Sequence, residues 1–259
     1  MGMKYGIVQA SFIPVRKEAD STSEMTSQLL FGEIFEVLEG KEQWLLIRNQ
    51  YDGYEGWISP VSASLFEEET LRDYEAMEFS LVKEKFCALR GDEGTLLIPT
   101  GSVLYYHAGN TRHIHCGKKY ELDMDPSPTP MDKLKSLEGL KDELLNVPYL
   151  WGGRSSYGCD CSGLVQTIFR ILEVPLLRDA SLQVGQGITV NMMTESRMGD
   201  LLFFDNDEGL IVHTGIIIAP GKVLHASGYV KLDAIDHQGI YSKQLGKYTH
   251  KLRVIKRVL

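Results

Sequence analysis

Short apolar runs broken by glycine dominate the first half of the chain. Ile34, Val37 and Leu38 form one run and Trp44-Leu45-Leu46-Ile47 another. Tyr51-Asp52-Gly53-Tyr54-Glu55-Gly56-Trp57-Ile58 is a third, with two glycine turns. Runs of this length, with turn residues between them, predict the strands of a small β-barrel over residues 5 to about 66. Residues 80 to about 122 repeat the style. Gly32-Glu33-Ile34-Phe35 runs on to Gly40, and Gly101-Ser102-Val103-Leu104 runs on to Gly109; a Leu-Leu pair precedes each, making a weak internal repeat. Between the two regions, Phe66 to Glu78 is acidic and leucine-bearing and predicts a short helix or linker.

The pattern changes at Asp123-Met124-Asp125-Pro126-Ser127-Pro128-Thr129-Pro130. Alternating prolines fix φ and remove backbone donors, so neither helix nor central strand continues through them. Thr129 suits a helix N-cap, Pro130 the first helical position and Asp132 a capping-box site. Leu134, Leu137, Leu144 and Leu145 follow at helical spacing, and Pro148 is expected to end that helix. Ser162 to Leu172 carries apolar residues at 164, 165, 168, 169 and 172, again a helix. Strand-like runs come after it: Leu201–Phe204, Ile216–Ile218, Val223-Leu224 and Leu252–Leu259. One helix followed by sequential strands predicts an α+β unit. The expected domains are 1–66, 67–125 and 126–259.

Composition adds exclusions. The 259 residues are 43% hydrophobic and 24% charged, which is ordinary for a globular chain. A net charge of -8 gives no general attraction for nucleic acid or anionic lipid. No 18-residue apolar run occurs, so no membrane span is expected. The start has no apolar signal-peptide core. A cytoplasmic protein is expected if the sequence is complete, and a periplasmic or secreted one if a leader has been trimmed. Cysteines at 87, 116, 159 and 161 show no disulfide framework.

Chemistry concentrates in the last third. Asp160-Cys161-Ser162-Gly163 opens a helix, His213-Thr214-Gly215-Ile216 opens a strand, and Leu224-His225-Ala226-Ser227 lies on the next. A cysteine at a helix N-terminus meets the positive end of the helix dipole, which favours the nucleophilic thiolate. A neighbouring histidine can pair with it and later protonate a leaving amine. A second polar group such as His225 then holds that imidazole in place. The backbone N–H of Cys161 suits an oxyanion. From the residues alone, buried structural roles for the same side chains stand level with catalysis.

These segments, with Pro148-Tyr149-Leu150-Trp151-Gly152-Gly153 and Gly199-Asp200-Leu201-Leu202-Phe203-Phe204, resemble the NlpC/p60 cysteine peptidases over residues 131–259. The resemblance implies a papain-like α+β catalytic domain preceded by two small SH3-like barrels. It implies Cys161 as nucleophile, His213 as base and His225 as the orienting residue. Tyr149, Asp160 and Ser162 match cleft positions. In the front half, Ser23-Glu24-Met25-Thr26-Ser27-Gln28 and Gln50 to Trp57 resemble the first module of the γ-D-glutamyl-L-diamino acid endopeptidase group. There the resemblance implies ligand contacts from Glu24, from Tyr54 (or Tyr51), and from Asp179 of the catalytic domain. Ala180 stands where that group often has serine. The implied substrate is a murein peptide, L-Ala-γ-D-Glu-diamino acid, cut at the γ-D-glutamyl bond. No cofactor or metal and a monomer are expected. The alternatives are a wall-peptide-binding module with an inactive catalytic domain, and a papain-like amidase or acyltransferase acting on another substrate.

Several features are set aside. His113-Ile114-His115-Cys116 is too tightly spaced for a usual zinc site and reads as a hairpin. Cys159 reads as a structural neighbour of Cys161, and Met192-Met193 as packing. The glycines at 152–153 and at 185 and 187 lack the context of a phosphate loop. The basic residues Lys251, Arg253, Lys256 and Arg257 read as a solvated strand face.

Overall fold

The computed structural model describes residues 4–122 and 132–259. The proline-rich boundary, with the Thr129 cap and Pro130, lies outside the described residues. The chain divides into two units: Met1–Thr129 with Trp151–Ser156, and Pro130–Leu150 with Tyr157–Leu259.

The first unit begins with β1 (Tyr5–Val8), β2 (Phe12–Arg16), β3 (Met25–Leu30), β4 (Ile34–Lys41), β5 (Trp44–Asn49), β6 (Glu55–Ile58) and β7 (Ala63–Phe66). They pair in the order β3-β2-β6-β5-β4-β1-β7. Alternation sets which side chains go inward: on β2, Ile13 and Val15 are buried while Phe12, Pro14 and Arg16 are not. They join Val8, Leu29, Phe35, Ile47 and Ile58 in one cluster. The acidic segment forms α1 (Glu68–Glu75). A second sheet follows: β8 (Glu78–Leu81), β9 (Phe86–Gly91), β10 (Gly94–Pro99), β11 (Val103–Tyr106), β12 (His113–Cys116) and β13 (Lys118–Leu122), in the order β10-β9-β13-β12-β11-β8. The two sheets share a core, in which Ile7, Phe31 and Ile34 of the first meet Leu89, Ile98, Leu104 and Ile114 of the second. At their junction Gly32 has φ +77°, and a Cβ there would run into the Val103 carbonyl. On β12, Ile114 and Cys116 face inward, and the Cys116 thiol donates to the Val8 carbonyl at 2.9 Å.

Trp151–Ser156, which includes β14 (Arg154–Ser155), packs within this unit. Arg154 is buried and donates through Nη1 to Glu33 Oε2 at 3.0 Å and to the Gln28 carbonyl at 3.2 Å. Gly152, at φ +73°, lies where a Cβ would strike the Met25 carbonyl. Burying a charged guanidinium is tolerable only with such a partner.

The second unit opens with α2 (Lys133–Leu144). Its N-cap is Asp132, whose carboxylate accepts from Leu134 and Lys135 N–H at 3.0 and 3.1 Å. Asp132 is therefore the cap itself and not the third helical residue of a capping box. The buried stripe is Leu137, Leu140 and Leu144, while Leu134 is exposed. The helix stops at Leu144, before Pro148. Leu145 is extended and Asn146 turns left-handed at φ +64°, so the proline is not the terminator.

After β15 (Gly158–Cys159) comes α3 (Cys161–Ile171), buried on almost every side, then α4 (Ala180–Gln183). The strands are β16 (Ile188–Val190), β17 (Leu201–Asp205), β18 (Ile211–Ala219), β19 (Lys222–Ser227), β20 (Tyr229–Ile235), β21 (Gly239–Ser242) and β22 (Lys247–Arg257). β17 to β22 pair in sequence and β21 returns to β22, which closes a six-stranded barrel. β16 adds at the outer edge of β22. Leu202, Phe204, Ile217, Val223, Ile235, Ile240 and Ile255 form its apolar cluster. α3 packs across β18 and β19. Among the described residues no helix is long and apolar enough to cross a membrane.

Candidate active site

The second unit brings Cys161, His213 and His225 to one place. Asp160 caps α3: its Oδ1 accepts from the Gly163 N–H at 2.7 Å. That cap fixes Cys161 as the first helical residue. The backbone N–H groups of Thr214 and Ser162 favour the Cys161 thiolate, which puts the sulfur near the strand residue that follows His213. Among the described residues the Cys161 N–H itself has no acceptor, as a helix N-terminus leaves it.

The two histidines arise from strand alternation. His213 is paired with Phe204, and His225 lies two residues beyond Val223, so both continue the face that holds the barrel's apolar cluster. Their rings meet through His213 Nε2 and His225 Nδ1 at 2.9 Å. Gly215 allows the approach, because a Cβ there would crowd Val223, the Leu224 carbonyl and the His225 Cβ. His225 Nε2 reaches Asp233 Oδ2 at 3.1 Å, and Lys231 Nζ lies 3.5 Å from the same oxygen. His250 stacks on His213 with ring centroids 4.1 Å apart and planes 24° apart. The sequence reading missed Asp233 and His250. Asp233 was in principle visible as the diagonal cross-strand neighbour of His225. His250 arrives only through barrel closure.

Nitrogens of His213, His225 and His250 all lie within 4.8 Å of one another, a set of metal-ligating type. The stacked rings do not suit a shared cation. An ion in the plane of the His213 ring lies off the plane of the His250 ring, whereas an imidazole lone pair points along its ring plane.

Electrostatics departs from the expectation of a resting thiolate. Burial pushes the Cys161 thiol up to about 11, and the Asp160 charge adds to this. The Thr214 and Ser162 N–H groups and Arg178 only partly offset them. Burial also holds His213 well below the usual imidazole range, reinforced by His250, His225 and Lys231, and brings His225 down to about 4. Cys161 and His213 thus rest as thiol and neutral imidazole, a pair suited to a proton transfer that accompanies attack by the sulfur. An imidazole acts as a base only when unprotonated, so a lowered pKa keeps His213 available for that role in acid. The acid limb of kcat/KM is expected below pH 6.5, the ordinary imidazole value. Rates measured from pH 4 to 8 test this, and a limb at or above 7 contradicts it.

The other expected residues fall as follows. Tyr149 is half-buried near Cys161, and burial, with Cys161 and Asp160, raises its phenol to about 12, leaving a neutral O–H. Asp160 and Ser162 are both engaged by Arg178. Its Nη1 donates to Asp160 Oδ1 at 3.0 Å and Ser162 Oγ at 2.9 Å, and its Nη2 to Asp160 Oδ2 at 2.6 Å. Asp179 begins α4, where its carbonyl accepts from Leu182 and Gln183. Cys159 is buried, and burial pushes its thiol well up, so it stays an inert neighbour.

Glu24 and Tyr54 belong to the first unit. Glu24 Oε1 accepts from Trp151 Nε1 at 2.8 Å. Tyr54 packs against the apolar cluster of the first sheet. Tyr51 lies under Arg154, with 5.5 Å from the guanidinium carbon to its ring centroid.

The sequence pattern of the NlpC/P60 family matches residues 146–252, and that of the bacterial dipeptidyl-peptidase Sh3 domain matches residues 15–61. The chain belongs to the NlpC/P60 family and is a hydrolase of the peptidase class. It is 30% identical to a probable endopeptidase of Haemophilus influenzae over 51% of this chain and 81% of that protein. It is 27% identical to the γ-D-glutamyl-L-lysine dipeptidyl-peptidase of Bacillus subtilis, over 77% of this chain and 71% of that one. With dipeptidyl-peptidase 6 of Lysinibacillus sphaericus the identity is 25%, covering 90% and 92%. The crystal structure of an NlpC/P60 family protein from Bacillus cereus superposes with a TM-score of 0.82 at 19% identity, covering 98% of this chain and 99% of that one, a likeness of fold.

Proposed function

We propose that this protein is a cysteine peptidase that hydrolyses the γ-D-glutamyl–L-diamino acid bond of peptidoglycan-derived peptides with a free N-terminal L-alanine. The observation that carries the reading is the Cys161 thiol at the start of a capped, buried helix packed against β18, the strand that carries His213 of the bonded pair His213–His225. The same reading takes the catalytic unit as papain-like and the front sheets as two SH3-like modules.

In the proposed cycle the Cys161 sulfur attacks the γ-carbonyl carbon while His213 takes the thiol proton. The oxyanion receives the Cys161 N–H. Collapse breaks the C–N bond, and the His213 imidazolium gives its proton to the departing amine of the diamino acid. A thioester to L-Ala-γ-D-Glu remains. Water, deprotonated by His213, attacks the thioester and releases the dipeptide and the thiol. Mass spectrometry of L-Ala-γ-D-Glu-meso-diaminopimelate incubated with the protein tests the reaction: L-Ala-D-Glu is the expected product, and an intact tripeptide sinks the substrate assignment.

Glu24, Tyr54 and Asp179 are assigned to the ligand by family resemblance. An ammonium taken from water needs a carboxylate partner, and acetylating it leaves that partner unpaired. N-acetylation of the alanine is expected to lower kcat/KM on the order of a hundredfold or more. Equal rates on free and acetylated peptides count against this specificity.

A further inference from the structure

The histidine pair ends on an acid. Asp233 stands on β20 opposite Val223, while Lys231 stands opposite His225, so Asp233 is the diagonal neighbour of His225 on the same face. Its Oδ2 lies 3.1 Å from His225 Nε2, and His225 Nδ1 lies 2.9 Å from His213 Nε2. Read from the carboxylate end, this chain has one consistent proton assignment. A carboxylate only accepts, so His225 carries its proton on Nε2. A neutral imidazole has one proton, so His225 Nδ1 accepts and His213 Nε2 donates. The lone pair of His213 is then on Nδ1, the nitrogen that His225 does not engage. The opposite tautomer pair would aim a His225 lone pair at the carboxylate and move the His213 proton onto Nδ1, where it blocks proton uptake.

We propose that Asp233 is a positioning residue of the hydrolytic site: through its bond to His225 it selects the tautomers that leave His213 Nδ1 able to take the Cys161 proton. The proposal rests on the cysteine-peptidase reading above. Lys231 Nζ lies 3.5 Å from the same oxygen and pairs with the carboxylate. A carboxylate there only to neutralise Lys231 would leave the histidine tautomers indifferent to its removal.

The test is 15N NMR of the histidine rings at neutral pH in the full chain without substrate, for wild type and Asp233→Ala. It runs alongside peptide kinetics and iodoacetamide alkylation of Cys161, followed by mass spectrometry of its own peptide fragment. In wild type both rings are expected to carry the proton on Nε2. In Asp233→Ala the Nδ1-protonated forms are expected to appear. kcat should fall about tenfold to a hundredfold, from loss of a charge-assisted hydrogen bond, with KM within about twofold. Cys161 alkylation should slow by a similar factor. The wild-type spectrum alone can overturn the proposal, because a proton on Nδ1 of either ring contradicts it whether or not the variant folds. Wild-type tautomers and alkylation rate in a folded Asp233→Ala overturn it as well. NMR and alkylation need no peptide, so a wrong substrate assignment shows in the peptide assay and leaves this test standing.

Discussion

Replacing Cys161 with alanine is expected to lower kcat/KM for the tripeptide by at least about 10⁴-fold, because no other group in the site can form the thioester. The change deletes one buried sulfur atom, so stability is expected to change by only about 1 kcal/mol. His213→Ala should lose activity to a comparable degree. The double variant Cys161→Ala/His213→Ala should be scarcely worse than either single one, since nucleophile and base act as a unit. The measurement is kcat/KM for all three proteins together with their thermal melts. Turnover retained in a folded Cys161→Ala would reject the nucleophile and the covalent route with it. Independent, multiplying losses would reject a shared step.

The elements that carry the three proposed catalytic residues were legible because each bears a local pattern, although only Cys161 starts its element, His213 and His225 lying inside β18 and β19. A polar-Cys-Ser-Gly opening to an apolar helical run, and histidines opening or standing in apolar strands, are local patterns, and the structure places Cys161, His213 and His225 on those elements. What the pattern did not carry is what depends on long-range closure. β21 turns back onto β22 with Gly239 opposite Lys251 and Ile240 opposite His250, and that pairing delivers His250 onto His213. No periodicity in the sequence announces it. The same holds for Asp233, an ordinary strand acid until β19 and β20 set its register. The helix dipole was a sound local argument for a thiolate, but it competes with desolvation and with Asp160. Those opposing effects become visible only once the burial of Cys161 is known. Trp151–Ser156 reads as one stretch with the residues on either side, yet it belongs with the first unit because Arg154 finds its acid in Glu33. Helix α2 shows the converse, since leucine spacing located the helix while its end was set by Asn146 at positive φ and not by the conspicuous Pro148.

Arg178→Met is expected to lower stability by about 3–5 kcal/mol, and to reduce activity further than unfolding explains. Arg178 is only 2% exposed, and Asp160 is 6% exposed. Both terminal guanidinium nitrogens bond that one carboxylate. Methionine fills most of the volume but leaves the carboxylate buried without its cation, which is the costly half of a broken pair. The damage reaches Cys161 because Asp160 Oδ1 also caps α3 through Gly163, and Ser162 Oγ hydrogen-bonds both partners. A loosened cap lets Cys161 drift from the Thr214 N–H, and a displacement of about 1 Å is enough to cost on the order of a hundredfold in rate. Denaturant midpoints at unchanged slope measure the stability, and kcat/KM of the folded fraction measures the rest. Adding Asp160→Asn should restore most of the lost stability. Asparagine caps a helix about as well as aspartate and carries no charge to strand, so the two substitutions should be strongly non-additive. A loss below about 1 kcal/mol in Arg178→Met, or simple additivity in the double variant, would show that the charge is not what Arg178 compensates.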